Sequence, residues 1–161
     1  MAAREQTSEI ELGVSNGAAL EGVKGTDLEE RRATVPWRAM PKKKILFIDN
    51  RPEHLRQPLL RLRMAGYEVD ERATGADGLK ALRDDGYDLL ILDTQLPEED
   101  GWAVLKDVRR DPVLKGIKVI VFMAGKGETG QLGLVPVDAE LRRPFSMGAL
   151  LESVRSVIGD P

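Results

Sequence analysis

The chain has 161 residues, 42% of them hydrophobic and 32% charged, with a formal net charge of −3, as in a soluble globular domain of ordinary size plus a tail. So small a net charge argues against nucleic acid or an anionic membrane as a partner, and the lack of cysteine excludes disulfides and thiolate metal sites. The N-terminus carries no apolar core of signal-peptide length and no stretch approaches the ~20 apolar residues of a membrane span, so the cytoplasm is the expected compartment.

Residues 1–41 are rich in Gly, Glu, Thr, Ser and Ala, and Leu12, Val14, Leu20, Val23, Leu28 and Val35 follow no sustained period. Such a segment buries too little surface to offset the cost of ordering it. A disordered N-terminal arm is expected there, with Trp37 between Pro36 and Pro41 in a linker-like stretch. From 42 to 161 the pattern alternates between strands and helices. A strand over 44–49 ends in Asp49-Asn50. A helix over about 52–65 carries Leu55, Leu59 and Leu62 at helical spacing, and Gly66 stops it. Pro58 lies inside and is expected to kink or loosen it, because proline removes a backbone donor. A strand over 67–72 and a helix over 75–84 follow, the latter with Ala76, Leu79 and Leu82 on one face. The apolar run 88–93 is a third strand, delivering Asp93 at its end, and Asp100 opens a helix over 100–110. Residues 117–123 are nearly all apolar, as in a strand buried on both faces. A Gly-rich stretch then predicts a short or frayed helix, before a strand near 138–142. The last helix, about 146–158, carries Met147, Leu150, Leu151, Val154 and Ile158 on one stripe.

Five βα units imply an α/β fold with a doubly wound, five-stranded parallel sheet. Ligands of such sheets sit outside the carboxyl ends of the strands. Neighbouring strands would bring Asp49, Asn50 and Asp93 into one crevice, an oxygen-rich place suited to a hard cation such as Mg²⁺.

Over 44–158 the chain resembles the receiver domain of two-component response regulators, a flavodoxin-like fold. The residues that carry the likeness are Asp49, Pro52, Gly66-Tyr67, Gly75, Asp93, Leu96-Pro97, Asp100-Gly101 and Pro144-Phe145. The resemblance implies that Asp93 is a phosphoacceptor for a histidine kinase or phosphotransfer protein. It implies Mg²⁺ held by Asp49, Asn50, Asp93 and the carbonyl of Gln95. It also implies a basic residue on the phosphoryl group at 143, a hydroxyl at 123 and an aromatic switch at 140. The chain departs from that pattern with Asn50 for an acid, Arg143 for lysine, Met123 for the hydroxyl and Glu140 for the aromatic. The lost carboxylate predicts weak Mg²⁺ binding. The degenerate pair Met123 and Glu140 predicts a weak link between phosphoryl and loop movement.

The expectation is an atypical single-domain response regulator, since no output domain follows before Pro161. It acts through protein–protein interaction with a downstream partner the sequence does not name, and without nucleic acid or membrane. The alternative is a pseudo-receiver that binds partners regardless of phosphate. No enzyme is expected: Asp93-Thr94-Gln95 has the spacing of a phosphohydrolase acid–base pair, but Gln95 is no acid–base. The run 125–130 spells G-x-G-x-x-G, yet after the fourth strand and without an acid ~20 residues on, so it reads as a loop. His54, the only histidine, reads as solvent-facing, and Trp102 as either core or partner-facing.

Overall fold

The computed structural model describes residues 41–125 and 129–161. The arm expected over 1–41 lies, apart from Pro41, outside the described residues, and so does the middle of the 125–130 run. Five parallel strands form one sheet: β1 (Lys44–Ile48), β2 (Glu68–Arg72), β3 (Leu89–Asp93), β4 (Lys118–Met123) and β5 (Ala139–Arg142), in the order β2-β1-β3-β4-β5. Every residue of β3 is buried. Strand residues alternate between faces, so the apolar runs feed two cores. Ile45, Phe47, Leu89, Ile91, Ile120 and Phe122 pack against Leu55, Leu59, Leu62, Leu150, Leu151 and Val154 on one side of the sheet. Leu46, Ile48, Leu90, Leu92, Val119 and Val121 meet Ala81, Leu82, Val104, Leu105 and Val108 on the other. Each such buried Leu, Ile or Val contributes roughly 2 kcal/mol, which makes β1, β3 and β4 the rigid centre and leaves β2 and β5 as edges.

Among the described residues five helices follow the strands: α1 (Pro52–Ala65), α2 (Gly75–Asp84), α3 (Gly101–Arg110), α4 (Thr129–Leu132) and α5 (Met147–Ile158). Their ends follow local chemistry. Thr74, Asp100 and Ser146 cap α2, α3 and α5 by accepting hydrogen bonds from backbone N–H groups. Gly66 closes α1 at φ +110°, a left-handed conformation that glycine adopts without strain. The short α4 agrees with the Gly-rich sequence around it.

Two details differ from the sequence pattern. Helix α1 runs uninterrupted through Pro58, which is buried against the core beside Leu55, Leu59 and Leu62; packing of the ring offsets the lost donor. In α2 the buried stripe is Gly75, Gly78, Ala81 and Leu82, while Ala76 is exposed and Leu79 only half-buried. The reason is close approach: a Cβ on Gly78 would fall 2.2 Å from Cδ1 of Ile48, so the glycine lets the helix settle onto β1.

Candidate functional site

Both strands that end in acids lie side by side, with Ile48 of β1 aligned to Leu92 of β3. The sheet therefore delivers Asp49 and Asp93 to the same edge, where they are 3% and 1% exposed. Burial would be costly for two bare carboxylates, and the surroundings compensate with positive charge and N–H groups. The backbone N–H of Arg51 donates to Asp49 Oδ1 (2.9 Å), and that of Gln95 donates to Asp93 Oδ1 (2.8 Å). Arg143 follows β5 and spans the pair: Nη1 donates to Asp93 Oδ2 (2.9 Å) and Nη2 to Asp49 Oδ2 (3.2 Å). Its guanidinium also stacks over the Phe122 ring, 5.4 Å from the centroid. Arg51 reaches the same acids from the other side, with Nη2 bonded to Asp93 Oδ2 and Nε 3.6 Å from Asp49 Oδ1.

This arrangement sets the two acids apart. Burial opposes charge on Asp93, but the Gln95 N–H and the guanidiniums of Arg143 and Arg51 prevail and hold its carboxyl below the usual range. Burial also pushes Asp49 up; the Arg51 N–H opposes this, the nearby Asp93 charge adds to it, and the carboxyl ends above its ordinary value. Asp93 is thus the firmly ionised member, the state a nucleophilic carboxylate needs.

The other expected site residues fall in different places. Asn50 follows Asp49 directly, and its Oδ1 is buried without a hydrogen-bond partner among the described residues. Met123 ends β4 with 0% exposure, inside the apolar cluster shared with Leu96 and Trp102. Glu140 sits exposed in β5, where its carboxylate accepts from Arg142 at 3.2 Å. Trp102 is core, 4% exposed. Gly101 follows the Asp100 cap, and a Cβ there would lie 2.5 Å from the Asp93 carbonyl and 2.6 Å from Thr94 Cα. Only glycine lets the start of α3 close against the loop that follows Asp93.

Two residues were missed as site members. Arg51 is one; its signal was a cation placed directly after the Asp49-Asn50 pair. His54 is the other, and the solvent-facing reading is corrected. It is half-buried in the first turn of α1, and a ring nitrogen lies within 4.8 Å of carboxylate oxygens of Asp49 and Asp93. Its Nδ1 is buried without a hydrogen-bond partner among the described residues. A helical position five residues after an acid at a strand end was the signal.

The response regulator receiver domain family matches residues 45–155. The polar-differentiation response regulator DivK of Brucella anthropi is 31% identical over 125 residues, covering 75% of this chain and 99% of the relative. Among solved structures, a CheY-like response regulator receiver domain protein from Methanospirillum hungatei superimposes with a TM-score of 0.65 at 26% identity, covering 71% of this chain and 92% of the other. The receiver domain of the sensor histidine kinase PA1611 from Pseudomonas aeruginosa, which holds a magnesium ion in its active-site cleft, shares the fold at 22% identity with a TM-score of 0.68, over 74% of this chain and 99% of that one.

Proposed function

We propose, since the chain belongs to the response regulator receiver domain family, that it is an atypical receiver in which Asp93 accepts a phosphoryl group from the histidine of a kinase or phosphotransfer protein. The observation that carries this reading is the setting of Asp93, buried at the end of β3 and held ionised by the Gln95 N–H, Arg143 and Arg51. A carboxylate oxygen of Asp93 attacks phosphorus, the P–N bond to the donor histidine breaks with its electron pair leaving on nitrogen, and an acyl phosphate results. Arg143 neutralises phosphoryl oxygens as they approach. The product is a modified protein that binds partners, not an enzyme turning over a substrate.

The donor set is a poor ready-made site for Mg²⁺. Each oxygen of Asp49 and Asp93 already accepts from an N–H or a guanidinium, and Asn50 offers only a neutral oxygen. Mg²⁺ binds weakly on this reading. The receiver occupies 42–161 on this reading. No helix among the described residues is long and apolar enough to cross a membrane, and the proposed compartment is the cytoplasm.

The test is intact-mass analysis after incubation with acetyl phosphate, with and without Mg²⁺. One added phosphoryl group that is absent from Asp93→Ala is expected. An adduct that survives Asp93→Ala would refute the assignment.

A second reading, a binding module indifferent to phosphate, is favoured by Met123 and Glu140. Met123 is locked in the core, and Glu140 is occupied by Arg142. Neither can report a phosphoryl group, and a ligand shifts a conformational equilibrium only through differential contacts. Beryllium fluoride should leave amide resonances of 123–145 nearly unchanged on this reading; large shifts there would favour an ordinary relay.

A further inference from the structure

We propose that the guanidinium of Arg51 is a built-in cation that occupies the divalent-ion position between Asp49 and Asp93, so that Mg²⁺ enters only by displacing it. Arg51 is anchored at its base. Its N–H is bonded to Asp49 Oδ1, and its backbone is extended (φ −103°, ψ 95°), as expected of the residue before Pro52. From that fixed stem the side chain turns back over the acids, with Nη2 on Asp93 Oδ2 and Nε facing Asp49 Oδ1.

Charge points the same way. Two buried carboxylates face two guanidiniums, those of Arg51 and Arg143, and the four balance. A divalent ion added to that set would leave an excess of positive charge that Asn50 cannot offset. Geometry adds a second conflict. Mg²⁺ demands near-octahedral oxygen ligands, and a guanidinium has no lone pair to offer it, so Arg51 cannot join the metal's shell and instead fills space beside Asp93 Oδ2 that the ion would need. Arg143 approaches Asp93 from β5, whereas Arg51 comes from the Asp49-Asn50 side, where a metal bound to those residues would sit. The Arg51 side chain is 26% exposed, so it has solvent into which to swing.

The inference deepens the phosphoacceptor reading but does not need Asp93 to be phosphorylated. Its test is calorimetric titration with MgCl₂ of the full chain and of Arg51→Ala, Arg51→Gln, Arg51→Lys and Asn50→Asp. Thermal unfolding of each is measured in EDTA and in excess Mg²⁺. Arg51→Ala and Arg51→Gln are expected to bind Mg²⁺ at least tenfold more tightly than the parent. They should melt lower than the parent in EDTA and recover in Mg²⁺. Arg51→Lys, which keeps the charge, should stay weak. Arg51→Gln retains the stem and serves if Arg51→Ala does not fold. Unchanged Mg²⁺ affinity in folded Arg51→Gln would overturn the proposal. So would a larger gain from Asn50→Asp than from Arg51→Gln, which would assign the weak binding to the missing acid. A chain that never takes up phosphoryl at Asp93 would still give these titrations, so failure of one reading is separable from failure of the other.

Discussion

The two ends of β4 each carry a cluster of arginine and aspartate, and the clusters use the same side chains differently. At the amino end, Arg109 of α3 donates to three backbone carbonyls: Pro136 at 2.9 Å, Lys115 at 3.0 Å and Ile117 at 2.7 Å. Asp138 stands beside it, 3.6 Å from Arg109 and 3.4 Å from Lys118, and accepts from the Val119 N–H. At the carboxyl end, Arg51 and Arg143 face carboxylates instead. Burial draws Arg109 below its ordinary value, with Asp138 only partly offsetting it, whereas Asp93 and Asp49 lift Arg51 above its own despite burial. Backbone carbonyls carry no net charge to trade for an ion, so the Arg109 cluster clamps the fold. Carboxylates can trade a guanidinium for a metal ion or meet an incoming phosphoryl group. The partner of the arginine, not the arginine, separates structural from functional ion pairs here.

The largest effect on stability should come from breaking the clamp. Arg109→Ala strands three carbonyl acceptors and is expected to cost about 3 kcal/mol, at 1–3 kcal/mol per unsatisfied group with water recovering part. Arg109→Lys should recover little, because a compact ammonium cannot fork across three acceptors. Denaturant unfolding of both variants measures this, and the loss should be the same with and without Mg²⁺. A Mg²⁺-dependent loss would erase the distinction between the two ends.

Next come the two site acids, which should respond with opposite signs. Asp93 has a depressed carboxyl, so its contribution to stability is present above the ordinary carboxylate value (~3.9) and is lost as pH falls through its lower folded value. Asp49 has a raised carboxyl, so its favourable contribution exists below that ordinary value and is lost as pH rises through its higher folded value. At neutral pH, Asp93→Asn should therefore cost about 2 kcal/mol, the scale of charge-assisted hydrogen bonds, while Asp49→Asn should raise the unfolding midpoint. Melting curves from pH 7 to pH 3 should show the two variants converging. Parallel losses at neutral pH would mean that the pair is not split as the geometry implies.

The five-stranded parallel sheet and the meeting of Asp49 and Asp93 in one crevice were legible in the sequence, because apolar runs ending in acids carry both strand and site in the same residues. The end of α1 and the start of α3 followed from Gly66 and Asp100, whose local chemistry acts within a few residues. What escaped depended on contacts distant in sequence. Helix α1 continues through Pro58, whose ring is buried. The α2 stripe shifted because Gly78 meets Ile48 of β1. His54 read as solvent-facing and Arg51 carried no reading, and only the three-dimensional turn after β1 brings them to the acids. Arg143 was found because it lies at a position the receiver pattern marks, whereas Arg51 is marked by nothing in that pattern.

The smallest predicted effect belongs to a third arginine–aspartate pair, between α2 and the end of α3, and it limits how far the comparison extends. Arg83 Nε donates to Asp111 Oδ2 at 2.8 Å, while Asp111 Oδ1 accepts from the N–H groups of Val113 (2.8 Å) and Leu114 (3.3 Å). The Arg83 guanidinium, helped by those N–H groups, holds the Asp111 carboxyl below its ordinary value. A depressed carboxyl stabilises the fold above the ordinary carboxylate range, and that contribution fades as pH falls through the folded value. This pair lies at the surface, where solvent and salt screen it. Asp111→Asn keeps the oxygen that accepts from Val113 and Leu114 and removes only the charge facing Arg83. A slight loss of stability at neutral pH is expected, shrinking in high salt and fading as pH falls below the ordinary carboxylate range. Adding Arg83→Ala to Asp111→Asn should cost nothing further, since the pair is then already broken. A loss as large as that of Arg109→Ala would show that an exposed charge pair can clamp this fold as firmly as carbonyls do, and the contrast between the ends of β4 would no longer rest on the partner's chemistry.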